Sequence, residues 1–411
     1  MSNHGRSLTA AEAAERLGVK RQTLYAYVSR GLLESRPAPT GRGSEFDAGE
    51  VEALVRRSRL GRRTAQELTV VTDVTSLADG VLRYRGQDAL PLAATESYEA
   101  VVNLLWTGER VWEPLVAPPP TLARARSCVA VLPRSARLLD RLRVAVDVAA
   151  VVDPLRFDLS PPSVLAAGRT LLGVLGDVLW RPARRRLVPL ELPGQPARPD
   201  ALATRLWPRL TTRGADAAAV RLLNGALVLL ADHELATSTF AARVAASARA
   251  NPYAVVASGL GALDGPLHGL VAELVHRVLV EAEHDGVDRA VASRVRHGER
   301  IPGFGHAVYP DGDPRASALM ALMTDAGLDE ARFRLARELL ATVEDRTGVA
   351  PNTDFAIGAL LYAAHMPADA GEAIFAIARC GGWIAHALEE YGEAPLRFRL
   401  RAARGPSAIA M

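Results

Sequence analysis

Cysteine is nearly absent: Cys128 and Cys380 are the only two in 411 residues. Two thiols are too few for a disulfide framework or a cysteine zinc site, and such usage fits a reducing compartment. Lysine is scarcer still, with Lys20 alone, so positive charge is carried by arginine throughout. Arginine abundance by itself therefore says little about a polyanionic partner. No uninterrupted apolar run approaches the roughly 20 residues that span a bilayer. The opening MSNHGRSLTAAEAAERLG also lacks the apolar stretch of a secretory signal. A cytoplasmic protein with no membrane partner is the expectation.

What is abundant is core material, a hydrophobic fraction of 49%. With this length, two or three compact units are expected. Charge is unevenly placed. Residues 1–63 hold twelve basic and seven acidic side chains, an excess of +5 in a chain whose total is +3, leaving −2 for the rest.

Within 1–63, Thr9-Ala-Ala-Glu12 reads as a capping box that opens a helix at about Ala10, with Ala11, Ala14 and Leu17 at helical spacing. Gly18 interrupts it, and a second helix is predicted over Arg21 to Arg30, burying Leu24 and Val28 and ending at Gly31. Two short helices joined through a glycine turn are a helix-turn-helix signature. Glu34 to Phe46, rich in Pro and Gly, reads as an irregular wing, and Asp47-Ala-Gly-Glu50 offers a second capping box. This order, with VKRQTLYAYVSRGLL and EFDAGEVEALV, resembles the excisionase and MerR-like winged helix-turn-helix domains. The resemblance implies that Arg21, Gln22, Thr23 and Tyr25 lie near DNA and Arg42 near phosphate. A protein-interaction or purely structural module is the competing reading. RSRLGRRT, residues 58–65, reads as the linker.

From residue 66 the pattern is overwhelmingly helical, with little period-2 alternation, and an all-α architecture follows. A proline-rich loop at Ala117-Pro-Pro-Pro120, a helix over RLRVAVDVAAVV and an Arg/Pro-rich surface loop near 181–199 are expected. Five segments place polar groups beside Gly or Pro or inside an apolar helix: LLADHELATSTF, ALDGPLHGL, IPGFGHAVYPDGDPRA, PNTDFAIG and IARCGGWIAHALEEYGE. No HExxH is present and DHE is too tight to chelate from one helix face, so no metal is expected. PGFG follows no strand and lacks the spacing of a dinucleotide fingerprint.

Taken together and in this order, GPLHG, PGFGH-x-V-x(4)-DPR, PN-x-DF and AR-x(2)-GW-x-AH resemble the citrate synthase family over essentially all of residues 68–408. The segment RG-x-D near Gly86, followed by a helix ending LLW-x-G-E, adds to the likeness. The resemblance implies a large helical domain, 66–269 with 366–411, and a small one, 270–365, that closes over it. It implies condensation of an acyl-CoA with oxaloacetate, the coenzyme A thioester being a substrate and no cofactor being needed. Asp354 would abstract the methyl proton, His268 would hydrogen-bond the thioester oxygen, and His306 would polarise the ketone. His233, Arg315, Arg379 and Arg399 would hold oxaloacetate, Arg399 reaching into the partner subunit of a homodimer. Ile301, Gly303, Phe304 and Gly305 would lie along coenzyme A, their glycines permitting close backbone approach.

The chemistry asks for such a set. Removing a proton alpha to a thioester requires a base and a donor aimed at the developing oxyanion. Two carboxylates are gripped by planar guanidiniums better than by lysine. His268 follows Gly-Pro-Leu, where a helix start would disfavour the imidazolium. For Arg379 the competing reading is an ion pair with Glu389 or Glu390. The chain departs from the family's usual pattern at Leu230, Ala236, Leu270, Pro310 and Leu400. Acetyl-CoA and propionyl-CoA differ by one methylene, which motifs do not separate. From another functional class, the alternative is a DNA-binding regulator that uses this body as a metabolite sensor.

Overall fold

The computed structural model describes residues 70–179 and 187–398 without interruption, and before them 7–17, 33–37 and 44–51 with Val19, Leu24, Tyr25, Tyr27, Val28 and Leu54. The chain divides into two compact units, Met1–Val71 and Thr72–Met411. The linker expected at 58–65 lies outside the described residues.

The first unit opens with β1 (Ser7–Thr9) and α1 (Ala10–Leu17), followed by β2 (Arg36–Pro37) and β3 (Ser44–Asp47). The strands form one antiparallel sheet in the order β1-β3-β2. The Thr9 capping box closes from both sides: the Thr9 N–H donates to Glu12 at 2.8 Å and the Glu12 N–H to Thr9 Oγ1 at 3.3 Å. Ala11 is exposed and Ala13 faces inward in its place, joining Ala10, Ala14, Leu17, Leu24, Leu33, Phe46 and Val51 in a small core. Leu24 is buried as expected, and Val28 only partly. The wing is more regular than its composition suggests, because its two ends pair as Arg36↔Glu45 and Pro37↔Ser44. At the second box, Asp47 accepts from the Gly49 and Glu50 N–H groups, but the Glu50 carboxylate accepts from the Glu34 N–H and ties the wing's base. Of the residues implicated in DNA contact, Tyr25 is 44% exposed and edge-on to Phe46. Arg21, Gln22, Thr23 and Arg42 lie outside the described residues.

The second unit does not begin with a helix. β4 (Thr75–Ala78), β5 (Val81–Tyr84) and β6 (Gln87–Asp88) form an antiparallel meander. These strands of two to four residues are too short for alternation to register. Helices follow: α2 (Ala89–Thr95), α3 (Tyr98–Thr107), α4 (Pro119–Ala130), α5 (Leu138–Val152), α6 (Pro161–Val178) and α7 (Leu202–Leu210). Next come α8 (Ala217–Leu230), α9 (Thr237–Ser247), α10 (Pro252–Leu263), α11 (Val271–Asp285) and α12 (Val287–His297). The last four are α13 (Pro314–Asp325), α14 (Glu330–Thr347), α15 (Thr353–Ala363) and α16 (Ala370–Gly392). As expected from LLW-x-G-E, α3 ends on Gly108 in the left-handed conformation, φ 82°. The proline run begins α4 instead of forming a loop throughout, because proline suits the first helical turn.

α16 runs through the middle of this unit and is buried on nearly every face from Ala370 to Ala387, as befits a helix whose apolar residues lie on all sides and are interrupted only by Glu372, Arg379 and His386. Its small residues admit neighbours closely. The Gly382 N–H donates to Ala231 O at 3.1 Å, and a Cβ on Gly382 would lie 2.5 Å from that oxygen. Side chains of α3 secure the same stretch: Tyr98 Oη donates to Ala378 O at 2.7 Å and Trp106 Nε1 to Gly381 O at 2.8 Å. This packing sets the register of Arg379. Gly382→Ala is accordingly expected to lower stability by about 1–3 kcal/mol, the usual range for overfilling a core. Thermal unfolding of the variant measures it; an unchanged melting temperature would show that the contact relaxes freely.

Candidate functional site

α8 is buried to its end at Leu230, so the residues after it emerge at the centre of the unit. There Glu234 takes a left-handed φ of 49°, uncommon for a side chain with a Cβ, and the chain turns sharply past His233. The turn opens on a cleft of about 610 Å³ whose walls include His233, His268, His306, Arg315, Asp354 and Arg379. Six of the seven residues implicated in catalysis and oxaloacetate binding thus meet in one place. Arg399 lies outside the described residues.

The two arginines are held in different ways. Asp313 caps α13 by accepting from the Arg315 N–H, and its carboxylate also takes Arg315 Nε at 3.0 Å and Nη2 at 2.8 Å. Thr353 donates to the same carboxylate from its backbone and hydroxyl. Burial alone would raise the Asp313 carboxyl; the Arg315 charge and these hydrogen bonds outweigh it and hold the group at about 2. Arg315 is thereby fixed in its buried position. Arg379, 1% exposed, has only Leu230 O at 2.8 Å for Nε and the Phe375 ring beneath its guanidinium at 4.6 Å. Its Nη1 is buried with no partner among the described residues. The competing ion pair with Glu389 or Glu390 does not form, because both carboxylates are taken by Arg243.

All three histidines are held below the ordinary imidazole value. His233, hydrogen-bonded through Nε2 to Tyr309 Oη at 3.1 Å, is pushed to about 2 by burial and then by Arg315 and Arg379. His268 is pushed to about 4 by burial and Arg379. The helix start proposed as the cause is not there: His268 sits in the turn between α10 and α11, and the helix begins only at Val271. Instead the ring is located by Ser238 Oγ, 2.8 Å from Nε2, and by the edge of Phe375. His306 is lowered by burial and Arg315. The Val308 N–H donates to its Nδ1 at 3.1 Å, so the proton of the neutral ring resides on Nε2. His233, His306 and Tyr309 form a ring cluster with centroids 5.0–5.6 Å apart.

Asp354 is the second residue of α15 and does not serve as its cap. Asn352 does, accepting from the Asp354 and Phe355 N–H groups, which frees the Asp354 carboxylate for the cleft. Burial raises that carboxyl to about 6, against the lowering fields of Arg315 and Arg379. A base poised near neutrality and neutral N–H donors are what proton abstraction beside a carbonyl calls for.

The loop 301–306 is stitched to the segment before α15. Gly305 N–H donates to Ala350 O, Asn352 N–H to Gly303 O, and Asn352 Nδ2 to Gly305 O at 2.9 Å. Ile301, Phe304 and Gly305 line a second groove of about 530 Å³ that includes Arg300 and shares Gly305, His306 and Ala307 with the cleft. Gly303 does not line it. With φ 83° it is buried, and a Cβ would lie 2.7 Å from Val275 and 2.9 Å from Phe355, so its bareness serves packing inside the protein.

Ser238, Tyr309, Asp313 and Asn352 were not singled out from sequence. For two of them a local signal exists, since Asp before Pro and Asn two residues before Asp are N-cap patterns. Ser238 and Tyr309 carry none, being defined by partners remote in the chain. Among the described residues no group of three His, Cys, Asp or Glu is placed to hold a metal ion, and no helix is long and apolar enough to cross a membrane.

Known proteins resemble this chain in sequence and in fold. Residues 63–401 match the family model described as citrate synthase, C-terminal domain, and residues 7–59 match a helix-turn-helix domain. The chain is 30% identical over 351 residues to 2-methylcitrate synthase 1 of Corynebacterium glutamicum, covering 78% of this chain and 90% of that protein. It is 29% identical to citrate synthase 2 of Bacillus subtilis, covering 79% and 90%. In fold it resembles the citrate synthase of Thermoplasma acidophilum solved with carboxymethyl coenzyme A and oxaloacetate, with TM-score 0.70 at 24% identity, covering 85% of this chain and 97% of that one. The buried Asp313–Arg315 pair yields a prediction. Asp313→Ala strands a guanidinium that is 5% exposed and should cost about 3–5 kcal/mol. Chemical denaturation measures the loss; a cost below about 1 kcal/mol would mean the pair is solvated.

Proposed function

Because the chain belongs to the citrate synthase family, we propose that it condenses acetyl-CoA or propionyl-CoA with oxaloacetate and hydrolyses the product to a tricarboxylate and free coenzyme A. One observation carries the reading: a carboxyl raised to about 6 shares a cleft with neutral imidazoles and two buried guanidiniums. In this scheme Asp354 takes a proton from the carbon next to the thioester while His268 donates a hydrogen bond to the forming enolate oxygen. That carbon attacks the oxaloacetate ketone, which His306 polarises through Nε2–H, and the proton passes to the new alkoxide. His233, Arg315 and Arg379 hold the carboxylates, Arg379 with the Nη1 that has no protein partner. Arg399 of a second copy completes the cradle in a homodimer. Ile301, Phe304 and Gly305 lie along the coenzyme, and Arg300, beside them in the groove, meets its phosphates. Closure of 270–365 over the remainder excludes water before condensation, and a water then cleaves the thioester, the coenzyme leaving as its thiol.

Activity requires Asp354 ionised and the histidines neutral. His233 and His268 shed their protons near 2 and 4, so by pH 5 they no longer limit. Asp354 ionises as pH rises through about 6, and kcat/KM should climb with one proton's slope across that value. Thiol release from acetyl-CoA and propionyl-CoA with oxaloacetate measures it. Asp354→Ala should lower the rate about 10²–10⁴-fold. Absence of wild-type turnover with both thioesters would sink the enzyme reading, and a limb well away from pH 6 would remove Asp354 as the base.

A second reading concerns residues 1–63, whose +5 excess accompanies a helix-turn-helix match. This unit contacts DNA, with Arg21, Gln22, Thr23 and Tyr25 toward the bases and Arg42 toward phosphate, and the catalytic body would then also serve as a metabolite sensor. Its affinity should fall steeply with salt. A mobility shift that survives deletion of 1–63 unchanged would clear this unit of the role.

A further inference from the structure

Away from the cleft, and sharing no lining residue with it, lies a cavity of about 820 Å³ between the ends of α4, α6 and α7 and the start of α5. Arg126, Arg134, Arg141 and Arg209 line it against a single acid, Asp369. That acid is engaged, since its Oδ2 accepts from the Leu138 N–H at 2.9 Å. Asp177, just behind the wall, is shared: its carboxylate meets Arg205 and, at 2.9 Å, Arg209 Nη2, while its carbonyl accepts from Arg126 Nε and Nη2. Arg141 donates to Pro133 O and, at 3.5 Å, to Val129 O.

The guanidiniums therefore exceed the carboxylates, and donor capacity is left over. Arg209 also gives Nη1 to Arg205 O, and its Nε is buried without a partner; Arg126 Nη1 and the whole of Arg134 have none among the described residues and line the cavity. Burial and the neighbouring Arg126 and Arg205 charges lower Arg209 below its usual value despite Asp177, a measure of how crowded with positive charge the region is. An unmatched cluster of planar donors in a concave, partly desolvated site favours an anion with several acceptor oxygens. The remaining walls are apolar, with Val129, Val178 and Leu179 among them.

We propose that this cavity binds a small organic monophosphate, its phosphoryl oxygens on Arg126 and Arg134 beside the charge of Arg209, and its apolar body against Val129 and Leu179. Isothermal titration of the full chain with phenyl phosphate, and separately with inorganic phosphate, tests this. Saturable binding at one site per chain is expected, tighter for phenyl phosphate. Arg134→Glu, at an exposed position, and Arg209→Gln should each weaken it about tenfold or more, about 1.4 kcal/mol, and Arg300→Ala should leave it unchanged. Circular dichroism identifies any Arg209→Gln chain that fails to fold, in which case Arg134→Glu decides. No saturable binding, binding indifferent to Arg134→Glu, or loss confined to Arg300→Ala would overturn the proposal. Equal affinity for inorganic phosphate would overturn the apolar half of it.

Discussion

A guanidinium at 1% exposure, in the middle of a long and largely buried helix, is the constraint around which the second unit is arranged. Taking such a charge out of water costs several kcal/mol unless partners replace the lost hydration. Arg379 receives one carbonyl, an aromatic face and the more distant Asp232, whose field acts in its favour. Its charge nonetheless acts across the cleft. It lowers His233 and His268, and it tempers the rise that burial imposes on Asp354. The same deficit that burdens the folded chain thus prepares the protonation states the proposed chemistry uses. An anion with a carboxylate to offer would relieve it.

Arg315 shows the other way of keeping a buried cation. Its fork is filled on two sides by Asp313, which in turn is held by Thr353 at the head of α15. One arginine is braced by the protein, and the other is left short of a partner. The contrast places firmness on the wall shared with Asp354 and receptivity on the wall formed by α16.

Much of this was legible in the sequence because most of the informative residues sit in short motifs at turns and helix ends, Arg379 in mid-helix being the exception. The helical body followed from the spacing of apolar residues and the capping box from Thr9 and Glu12, and the gathering of His233, His268, His306, Arg315, Asp354 and Arg379 is what the family resemblance carried by those motifs implies. What escaped had physical reasons. β4 to β6 are too short for their period to be read. Ala13 and Ala11 are chemically identical, so composition could not tell which one faces the core of the first unit. The neutral state of His268 was foreseen for the wrong cause, since a helix start was inferred from Gly-Pro-Leu where a turn exists, and burial with Arg379 does the lowering. Gly303 was read as making room for a ligand when it makes room for Phe355. Ser238 and Tyr309 depend on partners thirty and seventy-six positions away, a separation that no local pattern encodes.

Asn352 joins two things that a rigid catalyst must keep in step. Its Oδ1 fixes the first turn of the helix bearing Asp354, and its Nδ2 holds Gly305 O in the loop that runs to His306. A single planar amide thereby serves as a common datum, so thermal wander of the loop and of the carboxylate is correlated instead of independent. Positional error is then shared by the two, and the backbone bonds from Gly305 to Ala350 O and from Asn352 to Gly303 O hold the same pair of segments together.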